Sequence, residues 1–452
     1  MIDSHCHLND SAYNEDLEAV LSRAIEAGVS GMVNVGFDLP SSQETAEFAA
    51  KYPFIYGVVG VHPHDAKTYN ADVETGIERL LEEPGILGVG EIGLDFYRDL
   101  SPRAIQLDVF RKQIALSQRK NKPIIIHCRD AFDEVIAILE AEGEAYTGIF
   151  HAFSGDVEMA KQVLALGFHI GVGGVVTFKN SRLSRTVAEL PPRAIVLETD
   201  CPYLAPHPFR GKRNEPAYLA YIVRAIANAQ GVSDEDVVRT TTMNFSRAMG
   251  MEVRREPAIV YKIRNSLYIN MTNKCTNRCI FCPREEDPVV RGYYLGLERD
   301  PESSEILEAV GDPTGYDEVV FCGFGEPLLR LAQVKEVAEE LRKKGTRIRL
   351  NTNGLASLVW ERNLVPEIKG LVDVVSVSLN ASSNEEYVTL CKPAFGEKAF
   401  PALLDFVREC VKEGIRTICT AVKHPKVDLE ACEKLARSLG AEFKARKYHI
   451  VG

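Results

Sequence analysis

A short, nearly all-apolar run that ends in polar residues and is followed by an amphipathic helical stretch recurs eight times in the first 200 residues. The runs are Met1–His7, Gly31–Phe37, Ile55–His62, Ile86–Asp95, Pro123–Arg129, Gly148–Phe153, Phe168–Gly174 and Ala194–Asp200. Runs without polar alternation suit parallel strands buried on both faces. Helical stretches such as Glu15–Ala27, Arg103–Lys120 and Val157–Leu166 separate them. Eight such units in about 250 residues predict a closed (β/α)8 TIM barrel. The helix Ser233–Met249 ends this unit, and the first part of the charged stretch Glu252–Asn265, with Pro257, reads as a linker. The theme then restarts with strands at Ser266–Met271, Glu318–Cys322, Arg347–Asn351, Val374–Leu379, Arg416–Val422 and Glu442–Arg446. Helices such as Leu331–Lys344, Ala399–Glu413 and Leu429–Leu439 lie between them, which predicts an open, partial (β/α)6 barrel. The expected domains are therefore 1–255 and 256–452 of the 452 residues.

Composition narrows the setting. No stretch approaches the ~20 apolar residues that span a bilayer, and Met1-Ile2-Asp3-Ser4-His5 lacks the basic start and apolar core of a signal peptide. A cytoplasmic protein without a membrane partner is expected. The net charge of −11 argues against a broad basic surface for long nucleic acid, but it leaves room for a metal site that holds one phosphate locally. The 11 cysteines, an odd number in a reducing compartment, read as candidate metal ligands before disulfides. Cys6, Cys128, Cys201, Cys322, Cys391, Cys410, Cys419 and Cys432 are isolated, and the last five of these suit buried small apolar positions; Cys275, Cys279 and Cys282 form a tight group.

Functional groups of a (β/α)8 barrel sit at the C-terminal ends of its strands. There the first unit carries His5 and His7, His62 and His64, Glu91, His127, His151 and Asp200. Six of the chain's ten histidines fall at these ends, which scatter would not produce. Alternation along a strand lets His5 and His7 face the same way while Cys6 faces the other. Imidazoles and a carboxylate converging on one mouth suit divalent metal. A bridging carboxylate between two histidine sets suits two ions about 3.5–4 Å apart.

The stretches IDSHCHL (2–8), GVHPH (60–64), GEIGLDFY (90–97), IIHCRDA (125–131), HAFSG (151–155), ETDCPYLAP (198–206) and RGKRNEP (210–216) occur in the order and spacing of a known family. Over about residues 1–250 the chain resembles TatD-family metal-dependent deoxyribonucleases, a branch of the amidohydrolase-like barrels. The resemblance implies that His5 and His7 bind one divalent ion and His127 and His151 a second, with Glu91 bridging. Asp200 would bind the first ion and take the proton of the attacking water. His62 and His64 would lie by the substrate phosphate, with His62 in the catalytic set. Arg129 reads as a phosphate contact or as a rim salt bridge, and Glu198 as a group that orients a ligand or pairs with a basic residue. The ions would be magnesium, manganese or zinc. Ala152 stands where the family often has cysteine, at a position facing away from His151.

Cys275-x3-Cys279-x2-Cys282 follows the first strand of the second half. Three thiolates can hold three irons of a [4Fe–4S] cluster and leave the fourth open. Structural zinc would want a fourth ligand, and no close Cys or His pair follows. The spacing resembles the radical S-adenosylmethionine (SAM) superfamily over about residues 263–450. Cys322-Gly323-Phe324-Gly325-Glu326-Pro327 matches its glycine-rich SAM segment, Asn351–Gly354 ends the next strand, and Ser376, Ser378 and Asn380 end the one after. The resemblance implies SAM contacts at Gly323, Gly325, Glu326, Asn353 and Ser378, and reductive cleavage of SAM to methionine and a 5′-deoxyadenosyl radical. It also implies an electron donor such as flavodoxin or ferredoxin. The later Gly-x-Ile-x-Gly segment of the superfamily is replaced here by Thr420-Ala421-Val422-Lys423-His424-Pro425.

The whole chain resembles the TatD-linked radical SAM proteins. The expected function is a phosphodiester hydrolase, a 3′-5′ exonuclease on single-stranded DNA, fused to a [4Fe–4S]/SAM radical enzyme. The partners would be DNA or a nucleotide, SAM and the electron donor. The alternative is an amide or ester hydrolase with a C-terminal SAM-binding or redox-sensing module.

Overall fold

The structure, a computed structural model, describes residues 1–143, 146–252, 255–285 and 287–447. The chain forms two compact units, Met1–Arg254 and Arg255–Gly452.

In the first unit eight strands run in sequence order around one sheet: β1 (Ile2–Cys6), β2 (Gly31–Val35), β3 (Ile55–Val59), β4 (Ile86–Asp95), β5 (Ile124–Arg129), β6 (Gly148–Phe150), β7 (His169–Val172) and β8 (Ile195–Leu197). Each is parallel to its neighbour, and helices fill the connections. This is the (β/α)8 barrel read from the sequence. The apolar runs are buried on both sides. Val33, Val35, Val58, Ile125, Ile149 and Val196 form one cluster with Phe245, Ala248 and Met249 at the end of the helix Asp234–Ala248. Met32, Ile55, Val59, Ile124 and Ile170 belong to a second cluster with helix residues such as Val20, Phe110 and Ile222.

The barrel closes between β1 and the residues that follow β8. Asp200 N donates to His5 O at 2.9 Å and His7 N to Cys201 O at 2.8 Å. The Asp3 carboxylate, fully buried, accepts from Thr199 N at 2.9 Å, from the Thr199 hydroxyl and from His5 N at 3.3 Å.

In the second unit the strands are β9 (Val260–Ile263), β10 (Ser266–Asn270), β11 (Val289–Val290), β12 (Tyr293–Tyr294), β13 (Glu318–Cys322), β14 (Ile348–Thr352), β15 (Val374–Ser378), β16 (Arg416–Lys423) and β17 (Glu442–Lys447). The main sheet runs β17-β16-β15-β14-β13-β10-β9. Its six parallel strands are those expected. The seventh, β9, is antiparallel to β10 and comes from the stretch whose first part reads as a linker. It forms because Tyr261 and Ile263 alternate into a small core with Val290 and Leu295, and because Arg264 takes a left-handed φ of 53° in the tight turn to β10. The two-residue strands β11 and β12 form a separate hairpin. No helix among the described residues is long and apolar enough to cross a membrane.

Asp3→Ala leaves three seam donors without an acceptor. At about 1–3 kcal/mol for a buried donor left unpaired, the variant should lose about 3 kcal/mol of stability. Urea unfolding of the full chain measures this, and an unchanged midpoint would show that the seam does not need the carboxylate.

Candidate functional site

The strand ends of the first barrel bring the predicted residues to one mouth, around Glu91. This residue lies where the pairing of β4 with β5 shifts register between Val89 and Ile92. Its carboxylate is 2.7 Å from His127 Nδ1, 3.4 Å from His5 Nε2, 3.4 Å from His151 Nε2 and 3.6 Å from His62 Nε2. Asp200 stands 3.5 Å from His7 Nε2 and 3.9 Å from His5 Nε2. The donor atoms fall into overlapping groups: His5, His7 and Asp200; His62, Glu91 and His127; and His5, His151 and Glu198. His62 therefore sits within 0.2 Å of the distance at which His5 and His151 stand from Glu91.

Burial opposes charge on Glu91, yet His151, His62, His127 and His5 hold its carboxyl well below the usual range. Burial likewise opposes charge on His151, but Glu198, Glu91 and Asp200 outweigh it and push the imidazolium up to about 10. Burial also works against Asp200, and His151, His7 and His5 lower it. The fit to a divalent cation is visible in buried polar atoms that no hydrogen bond satisfies. Both ring nitrogens of His5, Nδ1 of His151 and Oε2 of Glu198 are buried without a hydrogen-bond partner. Imidazole nitrogens aimed at a shared carboxylate are a donor set that such a cation satisfies.

Glu198 explains a glycine. Its Oε1 accepts from Ala152 N at 2.7 Å, and its Oε2 lies 3.5 Å from His151 Nδ1. A Cβ on Gly171 would stand 2.1 Å from that Oε2, so only glycine leaves room for the carboxylate behind His151.

Sequence reasoning gave Asp95 no role. Its carboxylate lies 2.9 Å from His64 Nε2 and 3.2 Å from His127 Nε2, and accepts from Tyr97 N and Arg98 N. The available signal was its place at the end of the same strand as Glu91. His64 is thus held on Asp95 at the mouth. Arg129 lies exposed at the rim with its guanidinium 4.0 Å from the Tyr97 ring centroid, and makes no rim salt bridge among the described residues.

In the second unit Cys275, Cys279 and Cys282 lie partly exposed in the loop after β10. The last carbonyls of a helix have no partner within it, and this loop supplies donors to those of the helix Asn384–Cys391. Arg278 N bonds Cys391 O at 3.0 Å and Ile280 N bonds Leu390 O at 3.0 Å. Asn277 Nδ2 reaches Tyr387 Oη at 3.0 Å, and Ala394 N donates to Thr276 O at 2.7 Å. The thiol of Cys391, fully buried, hydrogen-bonds Cys279, a contact missed in the sequence because 112 residues separate the two. That hydrogen bond lowers the Cys279 pKa against burial, with help from Arg284 and Arg446; burial pushes Cys275 up to about 11. Asn277 N at 3.4 Å and Asn353 Nδ2 at 3.6 Å point at Cys275 Sγ. Three partly exposed cysteines with N–H groups directed at the sulfur of one of them fit an iron–sulfur cluster.

The glycine-rich segment packs directly on that loop. A Cβ on Gly325 would lie 2.1 Å from Thr272 O, and Glu326 N donates to Lys274 O at 2.8 Å. The buried Glu326 carboxylate accepts from Asn353 N at 2.7 Å, Thr352 Oγ1 at 2.8 Å and Leu328 N at 3.1 Å. Burial still raises it to about 7. Asn353 reaches Thr276 Oγ1 at 2.8 Å, so Glu326 and Asn353 tie β13, β14 and the cysteine loop together. Gly323 takes a φ of 107° beside Asn270, and Ser378 lies within 3.4 Å of Arg446 Nη2.

Residues 2–250 match the TatD related DNase family, and residues 269–439 the Radical SAM superfamily. The chain is 43% identical over 249 residues to the uncharacterized metal-dependent hydrolase YabD of Bacillus subtilis, covering 55% of this chain and 98% of that protein. It is 34% identical over 260 residues to the 3′-5′ ssDNA/RNA exonuclease TatD of Klebsiella pneumoniae, covering 56% of this chain and 99% of that protein. The crystal structure of YJJV, a TatD homolog from Escherichia coli K12, is similar with a TM-score of 0.54 and 27% identity, over 56% of this chain and 98% of that one. The two families imply divalent metal for the first unit, and an iron–sulfur cluster with SAM for the second.

Gly171→Ala drives a methyl group into Glu198 and so displaces the support of His151. Loss of such support typically weakens metal binding about 10–100-fold. Titration of the metal-free protein with manganese or zinc should show that loss; unaltered affinity would remove Glu198 and His151 from the ion's surroundings.

Proposed function

The chain belongs to the TatD related DNase family and carries a radical SAM domain in its second unit, and from that premise we propose that the first unit is a 3′-5′ exonuclease on single-stranded DNA and the second a SAM-cleaving radical enzyme. The observation that carries the first reading is Glu91 at the centre of four imidazoles, with Asp200 beside His5 and His7. His5, His7 and Asp200 would hold one divalent ion, and His127 and His151 a second, with Glu91 between them. Bound magnesium, manganese or zinc would supply Lewis acidity to a phosphodiester and acidify a water.

The remaining steps belong to the chain's own groups. Asp200 Oδ1 would accept the proton of the attacking water. Asp95 would fix His64, and Glu91 would face His62, so that both imidazoles flank the scissile phosphate. Arg129 at the rim adds positive charge on the same side as His127. The name of the Klebsiella relative supports the choice of a single-stranded substrate.

In the second unit Cys275, Cys279 and Cys282 would hold a [4Fe–4S] cluster, and the backbone at Gly323 and Gly325, with Ser378, would meet SAM. Glu326 and Asn353 would keep the glycine segment in register with the cysteine loop. Cluster and SAM together would supply one-electron cleavage of a carbon–sulfur bond, with flavodoxin or ferredoxin as the class of electron donor.

Manganese-loaded protein should shorten a 5′-labelled single strand from its 3′ end, and a chelator should stop it. Asp200→Asn should lower kcat by at least about 100-fold, the range of a lost general base. Intact DNA alongside cleaved acylamino substrates would replace this reading with an amidohydrolase.

Protein reconstituted anaerobically with iron and sulfide should form 5′-deoxyadenosine from SAM and dithionite, and Cys279→Ala should form none. Mass spectrometry of the nucleoside product decides this. A cluster spectrum without product would favour a sensing role for the second unit.

A further inference from the structure

Among the described residues, five of the eight exposed large apolar side chains of the first unit lie in loops that follow barrel strands: Phe37 after β2, Tyr97 and Leu100 after β4, Tyr203 and Leu204 after β8. Exposed aromatics are ordinarily scattered singly. These are gathered at the end of the barrel that carries the histidines. Tyr203 and Phe37 both stand edge-on to His7, with ring centroids 5.9 and 6.1 Å from it. Tyr97 is two residues beyond Asp95, which touches His127, and Arg129 is two residues beyond His127 on the same strand.

Neither tyrosine is loose. The Tyr203 hydroxyl is held 2.8 Å from Asp10 Oδ2, and its backbone N donates to Asp200 O at 2.8 Å. The Tyr97 backbone N is held by Asp95 Oδ1 at 3.0 Å, and the Arg129 guanidinium lies over its ring at 4.0 Å. Tyr203 and Tyr97 nonetheless stay 54% and 61% exposed. An aromatic side chain that is held in place yet largely exposed is organised in advance for another flat group. The two platforms flank the Glu91 centre, one on the β8, β1 and β2 side and the other on the β4 and β5 side.

We propose that Tyr203 with Phe37, and Tyr97 backed by Arg129, are stacking platforms for the unpaired nucleobases on either side of the phosphate held at the Glu91 centre. This rests on the phosphodiesterase reading of the same site. The occupant follows from the chemistry present. A single strand offers a base on each side of every phosphate, whereas a duplex keeps its bases stacked on one another. Aromatic stacking on a free base tolerates any sequence. Arg129 adds a cation that can lie on a ring and face a phosphate at once. With a chain charge of −11, affinity for a strand has to come from such local contacts rather than from a general basic field.

The test uses the full chain and two short labelled strands of equal length, one of ordinary thymidines and one whose last three sugars lack bases. Equilibrium binding is read by fluorescence anisotropy with calcium present, and 3′-end hydrolysis is read separately with manganese. The native protein should bind the base-bearing strand about tenfold or more tightly than the abasic one. In Tyr203→Ala and Tyr97→Ala that ratio should fall, and in the double variant it should approach one. Tyr203→Trp should keep it. Equal binding of both strands by the native protein, or a ratio unmoved in the double variant, overturns the platforms. Discrimination between the strands without hydrolysis of either would uphold the platforms and sink the exonuclease reading instead.

Discussion

The hydrogen bonds that close the first barrel are made by the residues that build its centre. His5 O accepts from Asp200 N, His7 N donates to Cys201 O, and Asp3 gathers Thr199 and His5 N from both sides of the seam. A parallel pair needs its partner strand in register to satisfy these groups. His5 and His7 can therefore meet Asp200 only when residues almost 200 positions apart have closed the ring. Closure and site formation are one event, and any cation that binds the finished site stabilises the closed barrel through the same linkage. The centre also carries unfavourable elements: a fully buried His5 ring whose two nitrogens make no hydrogen bond and an unsatisfied Glu198 oxygen. The seam and the apolar layers around it have to hold these groups in place.

The architecture was legible because burial on both faces leaves a mark that local sequence retains. Eight apolar runs with polar ends led to eight strands, and alternation placed His5 and His7 on one side. What escaped was whatever depends on distant partners. Asp95 reads as one more acidic strand end until β5 brings His127 to it. Cys391 reads as a buried small residue until the cysteine loop docks on its helix. Strand β9 has four residues, and only its pairing with β10 and its cover by Val290 and Leu295 make it a strand. Tyr97 and Arg129 lie in two quoted motifs, but a linear reading does not stack one on the other.

The two centres position their groups by opposite means, and the chemistry of the donors accounts for the difference. In the first unit the donors are imidazoles and carboxylates near the ends of paired strands or directly after them, so the sheet ladder fixes them. Charge balance among them, visible in the depressed Glu91 and the raised His151, favours a cation in their midst. In the second unit the donors are thiols on a loop. That loop takes its shape from the carbonyl end of one helix, from Asn353 and from the glycine segment that presses on Thr272 and Lys274. Soft thiolates suit iron and sulfide, and a loop open to solvent on one side admits a preformed inorganic unit where a closed barrel mouth of short side chains would not.

On the proposed exonuclease reading, charge then decides what kind of nucleic acid the first centre would serve. Each phosphate neutralised on a single strand steepens the salt dependence of binding by about 0.7 in the logarithmic slope. On a chain of net charge −11, with no general basic field to draw on, the proposed exonuclease centre would engage few phosphates, Arg129 beside it among their contacts. Binding that relies on so few contacts falls gently with salt and gains little from length. On the proposed exonuclease reading, long duplexes, whose recognition depends on many backbone contacts, would therefore lose to short ends whose bases are free. The aromatics that flank the mouth are consistent with that constraint, because stacking would supply affinity that neither salt nor the protein's own negative charge takes away.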